Sequence, residues 1–141
     1  MKTIIVDDEI MAIKLVRNYL ERDKRVEIVG ECLDAGEALQ CVRERAVEAA
    51  FLDICIHGCM DGVELGKKLK ELNPQIVLIY TTGNAQYVDN AIDVEADFYL
   101  MKPLNAAELT FVVKKANELA LQRNKRIFAR TFGHFDLYID G

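Results

Sequence analysis

The 141 residues predict a doubly wound α/β domain, a five-stranded parallel sheet with helices on both faces. Three observations lead there. Short β-rich apolar runs alternate with stretches whose apolar residues recur at helical spacing, giving βα repeated five times. The strand candidates are nearly continuous in apolar residues, as in Ile76-Val77-Leu78-Ile79, which marks strands buried on both faces. The length suffices for one domain with a core and is short for two.

Each element has its own signal. Thr3 to Val6 is the first strand, followed by Met11, Leu15 and Tyr19 on one helical face. Val26 to Val29 precedes a helix marked by Ala38 and Val42, and Ala49 to Ile54 precedes one marked by Val63, Leu69 and Leu72. Ile76 to Tyr80 leads to Tyr87 and Ala91, and Phe98 to Met101 leads to Leu109, Val112, Val113 and Ala116. No internal repeat interrupts the series.

Composition narrows the class. Hydrophobic residues are 51%, charged residues 29%, and there are 2 Pro and 8 Gly, which excludes a disordered, collagenous or low-complexity chain. A net charge of −5 argues against a nucleic-acid face on these residues. The N-terminus MKTIIVDDEI reaches an acidic cluster too soon for a signal peptide, and no apolar run is long enough to span a membrane, so the expected location is the cytoplasm. Cys32, Cys41, Cys55 and Cys59 then read as free thiols, with Cys32 and Cys41 packed in the core.

Charge divides the chain near Gln122. Residues 1–121 hold 14 Lys+Arg against 21 Asp+Glu, whereas 122–141 hold 4 against 2. The expected organisation is one domain over 1–121, then a polar, basic linker and the first hairpin of a truncated second domain over 122–141, with Phe132-Gly133-His134-Phe135 between two strand-like runs.

In this fold class ligands bind beyond the carboxyl ends of the strands. Asp7, Asp8 and Glu9 follow the first strand, Asp53 closes the third, Thr81 and Thr82 close the fourth, and Lys102-Pro103 follow the fifth. Clustered carboxylates repel unless a cation shares the site, and Mg²⁺ suits a few carboxylates together with phosphate oxygens. Lys102 could balance Asp53 or a phosphoryl oxygen.

These residues resemble a known family. Ile4-Ile5-Val6-Asp7-Asp8-Glu9, Phe51-Leu52-Asp53-Ile54, Met60-Asp61-Gly62-Val63-Glu64-Leu65 and Asp97-Phe98-Tyr99-Leu100-Met101-Lys102-Pro103 are similar to the receiver domain of two-component response regulators, over about residues 1–121. The resemblance implies the strand order 2-1-3-4-5. It implies Asp53 as phosphoacceptor, with Mg²⁺ held by Asp8 and Asp53 directly, by Asp7 through water and by the Cys55 backbone carbonyl. It also implies that Thr82 and Lys102 bind the phosphoryl group, Thr81 being the less favoured hydroxyl, that Tyr99 is an aromatic switch, and that Lys102-Pro103 is a cis peptide.

The implied function is a switch without substrate turnover beyond its own phosphotransfer and dephosphorylation. A histidine kinase would phosphorylate Asp53, and the surface of the fourth helix, fifth strand and fifth helix would change partners, a second copy of the chain among them. The segment Arg130 to Gly141 resembles the opening hairpin of a winged-helix output domain, so DNA binding would belong to residues further on. One departure stands out: the loop from Asp53 to Gly62 is one residue longer than the family pattern, and His57 replaces its proline.

Two other readings compete. An aspartate-nucleophile phosphatase or phosphotransferase would want a second acid two residues after Asp53, where Cys55 stands. A redox- or metal-responsive loop would use Cys55, His57 and Cys59, but no second ligand pair follows to complete a zinc site.

Overall fold

The computed structural model describes residues 1–56, 61–83 and 96–131, the segment 124–131 as helical backbone only. Five parallel strands, β1 (Lys2–Val6), β2 (Glu27–Cys32), β3 (Ala49–Asp53), β4 (Val77–Thr82) and β5 (Phe98–Met101), form one sheet in the order β2-β1-β3-β4-β5. The described helices are α1 (Ile10–Leu20), α2 (Ala35–Glu44), α3 (Gly62–Leu72) and α4 (Ala106–Thr131). The expected fold class and strand order are both present. The helix expected around Tyr87 and Ala91, and the loop His57 to Met60, lie outside the described residues.

Successive side chains on a strand face opposite layers, and the central strands are apolar on both. Ile4, Val6, Ala50, Leu52, Leu78 and Tyr80 pack with Ala38 of α2 and Leu65 and Leu69 of α3. Ile5, Ala49, Phe51, Val77 and Ile79 pack with Ile13, Val16 and Leu20 of α1 and Leu109, Val113 and Ala116 of α4. Asp34 and Asp61 start α2 and α3 by accepting the N–H groups of Glu37 and Glu64 at 2.8 and 2.7 Å, and Asn105 does the same for Ala107 at the head of α4.

Beyond shifts of one or two residues, two boundaries differ from the sequence expectation. The β2 strand continues past Val29 to Cys32, because its ladder with β1 runs on until Val6 meets Cys32; a bulge between the pairs Thr3–Ile28 and Ile4–Gly30 takes up Val29. The second difference is α4, whose backbone stays helical through Thr131, across residues 122–131 where a linker and an incoming strand were expected. Residues 132–141 lie outside the described part. Cys32, Cys41 and Cys55 are free thiols; burial, followed by the neighbouring Cys41, pushes the Cys32 thiol up to about 12.

The β3–α3 junction is tight. Tyr80 is fully buried, and its hydroxyl donates to the Gly62 carbonyl at 2.8 Å. A Cβ at Gly62 would collide with the Asp53 carbonyl and lie 2.7 Å from Ile54 Cα, while one at Gly66 would collide with the Tyr80 hydroxyl. Only glycines let α3 seat here.

Gly66→Ala is therefore expected to cost about 1–3 kcal/mol through overpacking. In a Tyr80→Phe background, which removes the colliding oxygen, the same substitution should cost clearly less. Urea unfolding of the four proteins of this cycle measures the difference.

Candidate functional site

The parallel register delivers the chemistry to one edge of the sheet. Asp7 and Asp8 follow β1, Asp53 ends β3 opposite Thr81, Thr82 ends β4 opposite Met101, and Lys102 comes next. Backbone bonds lock these ends together: the Asp7 N–H donates to Cys32 O at 3.1 Å, Ile54 N–H to Thr81 O at 3.1 Å, and Lys102 N–H to Thr82 O at 2.8 Å.

Carboxylate oxygens of Asp7, Asp8 and Asp53 all lie within 4.8 Å of one another. The Lys102 ammonium enters this cluster, 2.9 Å from Asp7 Oδ2 and 3.4 Å from Asp53 Oδ2. Asp53 and Asp7 are also held from behind. Asp53 Oδ1 accepts the Cys55 N–H at 3.0 Å, and Asp7 Oδ1 accepts the Glu9 N–H at 2.9 Å. Glu9 thus enters the site through its main chain, although the sequence grouped its carboxylate with the two aspartates.

Burial raises the Asp53 carboxyl above its ordinary range; the Cys55 N–H and Lys102 oppose this, and Asp7 adds to it. For Lys102 burial pulls the other way, but the bond to Asp7 and the charge of Asp53 outweigh it, so the amine is held above its usual value and stays an ammonium. Three carboxylates against one ammonium leave an oxygen-rich, negatively charged pocket. This donor set fits a hard divalent cation such as Mg²⁺.

The remaining sequence candidates surround this cluster. Thr82 is buried at the strand end, while the Thr81 hydroxyl lies 3.5 Å from Leu52 O on β3. Tyr99 is half-buried and stacks on Tyr80, centroids 6.3 Å apart. The Lys102-Pro103 bond is cis. Cys55 sits beside Asp53, but His57 and Cys59 lie outside the described residues. Sequence reasoning missed Tyr80, which lies under Tyr99 and ties α3 to the sheet. A tyrosine inside an apolar strand is its signal, since a buried hydroxyl needs a partner.

The chain belongs to the response regulator receiver domain family, whose pattern it matches over residues 3–114. Such domains serve phosphorylation-activated, two-component signalling. The chain is 31% identical over 115 residues to the sensory transduction protein LytT of Bacillus cereus, covering 82% of this chain and 46% of LytT. It is 30% identical over 115 residues to the transcriptional regulatory protein YpdB of Escherichia coli K12, covering 82% of this chain and 47% of that one. It thus spans about half the length of these curated relatives. Its structure is similar to the receiver domain of the response regulator AraT from Geobacillus stearothermophilus, with a TM-score of 0.79, 34% identity, and coverage of 88% of this chain and 98% of that one. The response regulatory domain of mrkE from Klebsiella pneumoniae gives a TM-score of 0.79 at 28% identity, over 86% of this chain and 99% of that one.

The raised Asp53 carboxyl has a consequence for stability. An acid whose folded pKa lies above its unfolded value costs stability when ionised; the cost is absent below the unfolded pKa and grows as pH rises through the folded one. Asp53→Asn is expected to raise Tm by a few degrees at neutral pH and to change it little near about pH 3. Thermal unfolding at the two pH values checks this, and an equal gain at both would remove ionisation as the cause.

Proposed function

We propose that the chain is a phosphoacceptor switch: a histidine kinase transfers a phosphoryl group to Asp53, and the new charge redirects the contacts of the domain. The observation that supports this best is the Lys102 ammonium bridging Asp7 and Asp53 at the carboxyl edge of the sheet. A carboxylate oxygen of Asp53 attacks phosphorus in line. The phosphorus–nitrogen bond of the donor histidine breaks, and its electron pair leaves with the imidazole.

Asp7, Asp8, Asp53 and the Cys55 carbonyl would hold Mg²⁺, which when bound supplies positive charge to the transferring oxygens. Lys102 moves from Asp7 toward a phosphoryl oxygen, and the Thr82 hydroxyl donates to another. Drawing Thr82 inward opens space toward which Tyr99 turns. The domain acts as a switch and not as an enzyme with external turnover.

Its output is proposed to be transcriptional, in keeping with the name of the YpdB relative; a DNA-binding region of winged-helix type rests on the sequence resemblance of Arg130 to Gly141 alone. The same reading places the protein in the cytoplasm; among the described residues no helix is long and apolar enough to cross a membrane. A second copy of the chain would dock on β5 and α4. There a groove of about 580 Å³ follows Tyr99, Met101 and Phe111, with Phe111 59% exposed.

With Mg²⁺ and acetyl phosphate, the intact protein should gain the mass of one phosphoryl group on Asp53, and Asp53→Ala should gain none. Lys102→Ala should slow labelling about 100-fold, the scale of a lost charge-stabilising donor. Labelling of another residue in the wild type would overturn the assignment.

Mg²⁺ alone should raise Tm by binding the folded state, and Asp8→Asn should reduce both that rise and the labelling rate. Calorimetric titration with Mg²⁺ checks it; unchanged affinity in Asp8→Asn would remove Asp8 from the ligand set.

A further inference from the structure

At the opposite edge of the sheet lies a second charge cluster that the phosphoacceptor reading does not use. Asp97, immediately before β5, pairs with β4 by main chain and side chain: its N–H donates to Leu78 O at 3.0 Å, and its Oδ2 accepts the Leu78 N–H at 2.9 Å. Arg123 of α4 grips the same carboxylate with both terminal nitrogens, at 2.7 and 3.2 Å, and also donates to Ile76 O at 3.0 Å. Lys70 of α3 donates to Ile76 O at 2.8 Å and stands 3.6 Å from Asp97 Oδ2. The three side chains are only 11–20% exposed.

This position follows Ala120, which packs α4 on the sheet. Ala116 and Ala120 are the last buried residues among the described α4 side chains, and the helical backbone runs on through Thr131. Arg123 therefore ties α4 to the sheet immediately before the helical segment 124–131. A forked guanidinium on one carboxylate sets orientation as well as contact, and partial burial makes the pair harder to break than a surface ion pair.

Strand β5 has one end in each cluster. Lys102 follows its last residue and lies between Asp7 and Asp53, while Asp97 precedes its first residue and holds Arg123. We infer that β5 with its two terminal ion-pair clusters is a coupling element: a change of charge at Asp53 shifts Lys102 and the strand behind it, and Arg123 passes that shift to residues 124–131. Arg123 is a positioning residue for the outgoing helix. Removing it uncouples that helix from the carboxylate site without entering the site.

The inference is testable without phosphorylation, since Asp53→Asn alone withdraws one charge from Lys102. Amide hydrogen exchange would be followed by mass spectrometry in the full chain and in Asp53→Asn, Arg123→Ala and the double variant. Exchange of amides 124–131 should change about threefold or more between the full chain and Asp53→Asn, rise in Arg123→Ala, and become insensitive to Asp53→Asn once Arg123 is gone. Lys115→Ala, on an exposed part of the same helix, should leave the Asp53→Asn response intact. If Arg123→Ala does not fold, Arg123→Gln keeps the stem and removes the charge. An Asp53→Asn response of equal size with and without the Arg123 charge, or none in the parent chain, overturns the inference. Acetyl phosphate labelling of Arg123→Ala, expected within about twofold of wild type, is a separate readout, so failure of Asp53 as phosphoacceptor is seen independently.

Discussion

Like charges a few ångströms apart repel, and three carboxylates share one edge of this sheet because Lys102 is delivered between two of them. That delivery depends on the strand register. Lys102 is tied by its N–H to Thr82, Ile54 to Thr81, and Asp7 to Cys32, so a slip of β1, β3 or β5 would withdraw a charge from the cluster. The central strands serve this constraint: β1, β3 and β4, buried on both faces, leave their ends little freedom to move, while β5 is only partly buried. The packing holds the groups in place, and the unequal charge keeps the site receptive to another cation.

The support around the cluster is mostly main chain. Asp53 accepts an N–H from Cys55 and Asp7 one from Glu9, so each carboxylate has one oxygen fixed and the other on Lys102. An arrangement of this kind orients acids without consuming their charge. It also explains why Glu9, which looks like a third member of an acidic triplet in sequence, matters for its backbone, while Asp53 from a distant strand completes the group.

Much of this was legible in the sequence, because it rests on local signals. Apolar runs marked the strands, and the acids, threonines and lysine stood at the ends of those runs. What could not be read depends on contacts between distant residues. The extension of β2 to Cys32 follows from its ladder with β1, not from its own Gly30-Glu31. The continuation of α4 past residue 121 was hidden because the polar, basic run Gln122 to Arg126 reads as a linker, and the grip of Arg123 on Asp97 spans 26 residues. Gly66 has no local sequence signal, because its need to be glycine comes from Tyr80 beneath it.

The bulge in β2 bears on solubility. An edge strand offers unpaired backbone groups to any other chain, and a flat one recruits partners. Here the edge carries Val29 as an extra residue that breaks the regular spacing of those groups, and Glu27 and Glu31 add negative charge, with Glu31 held by Arg17 at 3.0 Å. An extended segment approaching this edge would meet a twisted, irregular ladder and like charges if it were itself acidic. The sheet is thereby protected on its β2 side from growing by strand addition.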